Sequence, residues 1–272
     1  MITSTHNPKI QTIRALQARS RARRAAQSFV VEGVRLAEEA VAAGWEAQLA
    51  LYSADLEARG RAVVDTFAAR GVEVEEVTPQ VMRAASDTQT PQGILVVLPL
   101  RPLPLPEVLD FAFIPDGVRD PGNLGTMLRT AAAAGVGAVF LPPGTVDPFS
   151  PKVLRAGMGA HFRLPIHSYS WEEIGARLQA GALEVYLAAA GAGQAHTRSD
   201  FRQPLALIIG GEAEGAGSEA QHLAGARVHI PMPGGVESLN AAIAAGILMF
   251  EVVRQRTETG GQNGITHART NP

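Results

Sequence analysis

The stretch Asp116-Gly-Val-Arg-Asp-Pro-Gly-Asn-Leu-Gly-Thr-Met-Leu-Arg129 follows an apolar run, Phe111 to Pro115, and leads into an alanine-rich segment that closes at Gly135. An apolar run, a Gly/Pro break and a helix-forming segment in that order read as strand, turn and helix. Glycines at such a turn permit positive φ and close approach of a ligand, and the helix N-terminus presents unpaired amides to an anion. The turn is neither GxGxxG nor GxxxxGK[ST], so it does not by itself specify a nucleotide. Arg129 stands four residues after Gly125. Helical side chains lean toward the N-terminus of their helix, so its guanidinium is expected to project back over the loop containing Asn123. A surface arginine paired with a carboxylate is the alternative.

Outward from this stretch the same alternation repeats. Further strands are expected at Ala138 to Leu141, Leu183 to Ala188, Leu205 to Ile209 and Arg227 to Pro231, with helices between them. That order predicts an α/β fold with a mostly parallel sheet covered on both faces. A final helix is expected from Ser238 to Arg256, with Leu239, Ile243, Ile247 and Phe250 on one face. Residues 257–272 are polar and aperiodic and read as a flexible tail. On the other side, four prolines between Pro99 and Pro106 favour an extended connector. Before it, a helix is expected over Val31 to Ala43 and another over Ala54 to Ala69, among short apolar runs at Ala47 to Leu51, Val72 to Val77 and Ile94 to Leu98. The expected organisation is a small α/β domain at 1–98, a Pro-rich linker at 99–108, a larger α/β domain at 109–256 and a tail at 257–272.

Composition narrows the function classes. The 272 residues are 46% hydrophobic and 18% charged, enough to bury a core and incompatible with disorder throughout. Cysteine is absent, which excludes disulfides, thiolate metal sites and a cysteine nucleophile. No stretch reaches the roughly 20 apolar residues of a membrane span, so a soluble, cytoplasmic protein is expected. The seven histidines show no HxxxH spacing and no Gly-x-Ser-x-Gly elbow occurs, which leaves metalloenzyme and hydrolase readings without their parts. The formal charge of -2 hides an asymmetry: residues 1–30 hold no acid but carry Lys9, Arg14, Arg19, Arg21, Arg23 and Arg24. Such a block is a phosphate-contacting patch or a solvated helix face.

Two more segments could carry chemistry. In Leu205-Ala-Leu-Ile-Ile-Gly-Gly-Glu-Ala-Glu-Gly215 a strand runs into Gly210 and Gly211, whose bare backbone suits close contact with a ligand, and Glu212 follows at once. A simple turn with a solvated acid is the alternative. In Ile230-Pro-Met-Pro-Gly-Gly-Val-Glu-Ser-Leu-Asn240 a strand end and a Gly/Pro loop lead into the last helix. Ser238 reads as its N-cap, and Asn240 is a mediocre helix former that stability alone does not explain.

Together these segments resemble the SpoU (TrmH) family of RNA ribose 2'-O-methyltransferases, part of the SPOUT superfamily. The motifs stand here as Asp120-Pro-Gly-Asn-Leu-Gly with Arg129, as Gly210-Gly-Glu-Ala-Glu-Gly, and as Ile230-Pro-Met with Ser238-Leu-Asn240. Asn7-Pro-Lys, Phe29-Val-Val-Glu-Gly-Val-Arg35 and Thr90-Pro-Gln-Gly93 resemble the small RNA-binding domain that many members carry in front. The resemblance implies a deep C-terminal trefoil knot, a homodimer, S-adenosylmethionine as cofactor and no metal. It implies catalytic roles for Asn123, Arg129, Glu212, Ser238 and Asn240, and a cofactor held at Gly210, Gly211, Ile230, Met232 and Leu239. Arg19, Arg21, Arg23 and Arg24 become the RNA grip. The implied substrate is 23S ribosomal RNA; a transfer RNA methyltransferase and a non-catalytic ribosome assembly factor are the alternatives. A nicotinamide-dependent oxidoreductase lacks its GxGxxG.

Overall fold

The computed structural model describes residues 1–211 and 215–260. Glu212 and the tail from residue 261 lie outside the described residues. Along the chain the elements are α1 (Pro8–Ala18), α2 (Ser20–Ala26), β1 (Ser28–Glu32), α3 (Val34–Ala42), β2 (Leu49–Ser53), α4 (Ala58–Ala69), β3 (Glu73–Val77), α5 (Pro79–Ala85) and β4 (Ile94–Pro99). There follow β5 (Phe111–Asp116), α6 (Pro121–Ala133), β6 (Ala138–Leu141), α7 (Pro151–Gly157), β7 (Ile166–Ser168), α8 (Trp171–Ala180), β8 (Glu184–Ala188), β9 (Gln194–Ala195), β10 (Leu205–Gly210), α9 (Ser218–Leu223), β11 (Ala226–His229) and α10 (Ala241–Gly260). They form two compact units: Met1–Leu103 with Asp120–Arg129 and Val146–Leu164, and Pro104–Arg119 with Thr130–Thr145 and the chain from Pro165 onward.

The first unit holds a four-stranded sheet in the order β1-β4-β2-β3, antiparallel except where β2 meets β3. Alternate residues supply its two faces, as strand geometry requires. Phe29, Val31, Ile94, Val96 and Leu98 enter one core with Trp45 and Phe67, while Val30, Leu95 and Val97 enter another with Ile10, Ile13 and Leu16. The first core also takes Phe149, Leu154 and Phe162 from the 146–164 segment. All five residues of β1 are buried, so its apolar centre, Phe29 to Val31, shows no in–out alternation. The sequence expectation of a helix from Val31 is corrected accordingly: residues 28–32 are strand, and α3 begins only at Val34, after Gly33 at φ 98°.

The second unit holds a seven-stranded sheet, β7-β6-β5-β10-β8-β11-β9, in which every ladder is parallel. This is the mostly parallel α/β sheet that the strand–helix alternation predicts. α8 starts with a capping box, Ser170 Oγ accepting from Glu173 N and Glu173 accepting from Ser170 N.

Other helix starts also differ from expectation: α4 begins at Ala58 and not at Ala54. Residues 121–125 are the first turn of α6, so Asn123 is helical and not in a loop. The last helix runs from Ala241 to Gly260 and not from Ser238 to Arg256. Its cap is Asn240, whose Oδ1 accepts from Ala242 N at 2.9 Å and Ile243 N at 3.2 Å, in place of Ser238. Asparagine is among the preferred N-caps, which accounts for a residue that looked out of place inside a helix.

Candidate cofactor cavity

Strands β8, β10 and β11 are consecutive parallel neighbours, and their C-terminal ends open into one cavity of about 590 Å³. Crevices at the carboxyl ends of parallel strands are the usual ligand sites of such sheets, and this volume suits a small molecule. Gly210, Gly211, Ile230, Met232 and Leu239 all line it. Ser238 and Asn240 line it too, as do Ala241, Ala244 and Leu248 from α10.

The wall at β10 is built from bare backbone for a steric reason. A Cβ on Gly210 would lie 2.4 Å from Ala216 N, and one on Gly211 would lie 2.5 Å from Gly117 O. The chain leaves β10 and returns at once: Gly215 N donates to Gly211 O at 3.1 Å. Asp116, buried at the end of β5 and paired in register with Gly210, fixes the return by accepting from Gly217 N at 2.7 Å. Burial pushes its carboxyl above the usual carboxylate range, and the Gly217 N–H opposes that.

The cavity belongs to the second unit; Asn123 and Arg129 belong to the first. They sit on α6, whose start is set by Pro121 and by Asp120 accepting from Asn123 N at 2.8 Å. That N–H is the main reason the Asp120 carboxyl lies below its usual range, with Lys152 Nζ at 3.6 Å assisting. Arg129 is exposed, and among the described residues no ion pair holds it. The carboxylate-paired alternative therefore finds no partner there.

One expected RNA contact is overturned. Arg19, Arg21 and Arg24 are exposed, but the Arg23 side chain is 4% exposed and turned inward. Its Nε and Nη2 donate to Asp147 Oδ2 at 2.9 and 2.6 Å, and its Nη1 donates to the carbonyls of Leu16 and Gln17. A guanidinium with four donor contacts inside the fold is not a phosphate grip. Its helical neighbours gave no sign of this, because Asp147 lies 124 residues away in sequence.

The sequence reading also passed over Gln221, Arg227 and His229, which line the cavity. A signal existed for two of them: Arg227 and His229 alternate along β11 and so face the same side of the sheet.

A parallel α/β sheet with a glycine-walled cavity at its strand ends defines a small-molecule-binding protein of the α/β class. Comparison with known proteins names the family. Residues 110–250 match the SpoU rRNA Methylase family, and residues 7–96 match the MRM3-like substrate binding domain. The chain is 32% identical to the 23S rRNA (guanosine(2553)-2'-O)-methyltransferase RlmP of Bacillus subtilis, over 92% of this chain and 98% of that one. Among solved structures it resembles an AdoMet-bound rRNA methyltransferase from Sinorhizobium meliloti, with a TM-score of 0.82, 35% identity and coverage of 93% and 97%. It also resembles the SpoU methyltransferase AviRb from Streptomyces viridochromogenes in complex with AdoMet, with a TM-score of 0.81, 29% identity and coverage of 93% and 100%. The chain belongs to the SpoU rRNA methylase family, whose cofactor is S-adenosylmethionine. None of the described helices is long and apolar enough to cross a membrane.

Proposed function

We propose that this protein transfers a methyl group from S-adenosylmethionine to a ribose 2'-hydroxyl of structured RNA, with 23S ribosomal RNA as substrate and the cytoplasm as its place of action. The observation that carries this reading is the convergence, in one cavity, of Gly210, Gly211, Ile230, Met232 and Leu239 with Ser238 and Asn240. The residues present suit the cofactor. The glycine wall admits a ligand to main-chain hydrogen-bonding groups, while Leu187, Ile209 and Leu248 supply apolar surface for a nucleoside.

S-adenosylmethionine, when bound, supplies an electrophilic methyl on its sulfonium. The protein's work is then to orient a ribose hydroxyl and ease the loss of its proton. Arg129 grips the adjoining phosphate and polarises the hydroxyl; a guanidinium, with five N–H donors and no acceptor, is a poor base but a strong donor. Asn123, Glu212, Ser238 and Asn240 complete the positioning network. The front domain, residues 1–98, holds RNA through the exposed Arg19, Arg21 and Arg24, contacts that position without reading sequence. Residues 99–108 join it to the methyltransferase domain at 109–256, whose C-terminal part carries the trefoil knot.

A second copy of the chain completes the assembly. Leu239, Ile243, Ile247 and Phe250 form the apolar face that the helical spacing marks, yet Ile243 is 55% and Phe250 49% exposed, while Ala245, Leu248, Met249 and Val252 on the opposite side are buried. An exposed apolar stripe of this kind marks an interface. A monomeric mass in solution would remove the homodimer from this reading.

Mapping 2'-O-methyl groups in ribosomal RNA from cells with and without the gene tests the function directly. Loss of one 23S methyl group is the expected result. An unchanged ribosomal map with a lost transfer RNA methyl group would move the substrate, and no lost methyl group at all would leave the assembly-factor alternative.

A further inference from the structure

Arg23 and Asp147 join the basic helices of the front sheet to the helix that carries Asn123 and Arg129. The connection can be followed contact by contact within the first unit. Arg23 Nη1 donates to Leu16 O at 2.5 Å and Gln17 O at 3.0 Å, carbonyls of the last turn of α1 that have no partner within the helix. Its other two nitrogens donate to one oxygen of Asp147. The second oxygen of Asp147 accepts from Phe149 N at 2.9 Å, and Asp147 O accepts from Ser150 N at 3.2 Å. Asp147 thus builds the turn that launches α7, while the Phe149 ring rests on Phe29 of β1 with centroids 4.9 Å apart.

α7 in turn meets α6 at backbone distance. A Cβ on Gly125 would lie 2.5 Å from Ala156 Cβ and 2.6 Å from Val153 O. Gly125 stands between Asn123 and Arg129, so the place where α7 touches α6 is the turn that presents both side chains. Contact this close leaves no room for slippage, because packed interiors transmit displacement instead of absorbing it.

We propose that Arg23 and Asp147 are positioning residues for methyl transfer: the pair sets α7, and through Gly125 sets the orientation of Asn123 and Arg129. The inference rests on the catalytic assignment of those two residues. It gives α2 two sides with different roles. Arg21 and Arg24, with Arg19 just before the helix, face outward to RNA; Arg23, on the same helix, faces inward and ties that surface to the reacting geometry.

The test uses the full-length protein, transcribed 23S RNA and S-adenosylhomocysteine. Asp147→Asn is the informative variant. It keeps an oxygen for Phe149 N–H, and removal of an acid cannot delete a phosphate contact. Four quantities are read: RNA affinity against salt, S-adenosylhomocysteine affinity, single-turnover rate at saturating RNA, and amide exchange of residues 120–129. Asp147→Asn and Arg23→Gln should each lower the rate roughly 10- to 100-fold, the scale expected of a misplaced catalytic group. Both should keep the wild-type salt slope and speed exchange in 120–129. The double variant should lose no more than the worse single one, since the residues act as a unit. Replacing Arg19, Arg21 and Arg24 together with Gln should instead flatten the salt slope.

Wild-type exchange in 120–129 for both single variants overturns the proposal. So does a flattened salt slope for Arg23→Gln, which would return Arg23 to the RNA surface. If the wild-type protein binds S-adenosylhomocysteine but methylates no 23S RNA, the substrate reading fails, and the exchange of residues 120–129 still decides the role of the pair.

Discussion

The starts of α6 and α10 each carry an asparagine assigned to the proposed site, and each start is capped by a different device. At α6 the cap is Asp120, whose carboxylate accepts from the backbone N–H of Asn123. At α10 the Asn240 side chain is the cap, with its oxygen held by two backbone amides. The same residue type therefore donates its backbone N–H to a cap in one place and supplies the cap itself in the other. Under the proposed function Asn240 would unite cap and chemistry, whereas at α6 the cap belongs to Asp120. Arg129, one and a half turns beyond Asn123, depends on α6 being set correctly and has no ion pair of its own among the described residues.

The largest effect should come from Arg129→Ala. Loss of a transition-state donor costs about 100-fold or more in rate. Affinity for S-adenosylhomocysteine should hold, because Arg129 is assigned to ribose and phosphate. Equal losses of turnover and cofactor affinity, measured by single-turnover assay and calorimetry, would place Arg129 at the cofactor instead.

Next in size is a pH effect on the α6 side. His161 is buried, its Nε2 2.8 Å from Pro148 O, and it lies against Gly157, beside the α6–α7 contact. Burial lowers its pKa to about 4. The folded-state value lies below the unfolded one, so the unfolded chain binds more protons between about pH 6.5 and 4. The stability linked to neutral His161 is whole above pH 6.5 and is lost as pH falls through 4, a matter of a few kcal/mol. His161→Leu should flatten the fall in melting temperature over that window. An unchanged slope would mean that His161 has room to charge in place.

Asn240 gives a smaller but cleaner effect. Asn240→Ala removes the cap and should cost about 1 kcal/mol of stability. Asn240→Asp keeps an N-cap acceptor and adds a charge favourable at a helix N-terminus, so its melting temperature should stay at or above wild type while methyl transfer falls. A variant at full activity would show that capping is the whole role of Asn240, and the contrast with Asn123 would disappear. The smallest effect belongs to Ser238→Ala. With Asn240 as the cap, it should change stability by less than about 0.5 kcal/mol. A loss near 1 kcal/mol in denaturant melts would restore Ser238 as the cap.

Much of this was legible in the residues alone. The ends of β10 at Gly210 and of β11 at His229 and the parallel order follow from local apolar runs broken by Gly and Pro, while the grouping of the motif residues was implied by the family resemblance. β1 was not legible as a strand: Ser28 to Glu32 is buried on both faces and abuts a helical pattern, so periodicity cannot separate the two. The start of α10 was misplaced because Ser238 and Asn240 are both good caps, and only the hydrogen bonds show which one is used.

Arg23 marks the deeper limit. Four arginines within six residues look alike in sequence, and nothing local separates the one that turns inward. The sequence by itself determined the α/β class, the glycine wall and the family, because these depend on short-range chain geometry and on motifs whose members lie close together. The tertiary structure decided which arginine is buried, that α7 meets α6 at Gly125, and that the apolar face of α10 is exposed. Those outcomes depend on partners from about thirty to more than a hundred residues apart, or on which of two faces the rest of the fold covers, and no local pattern encodes them.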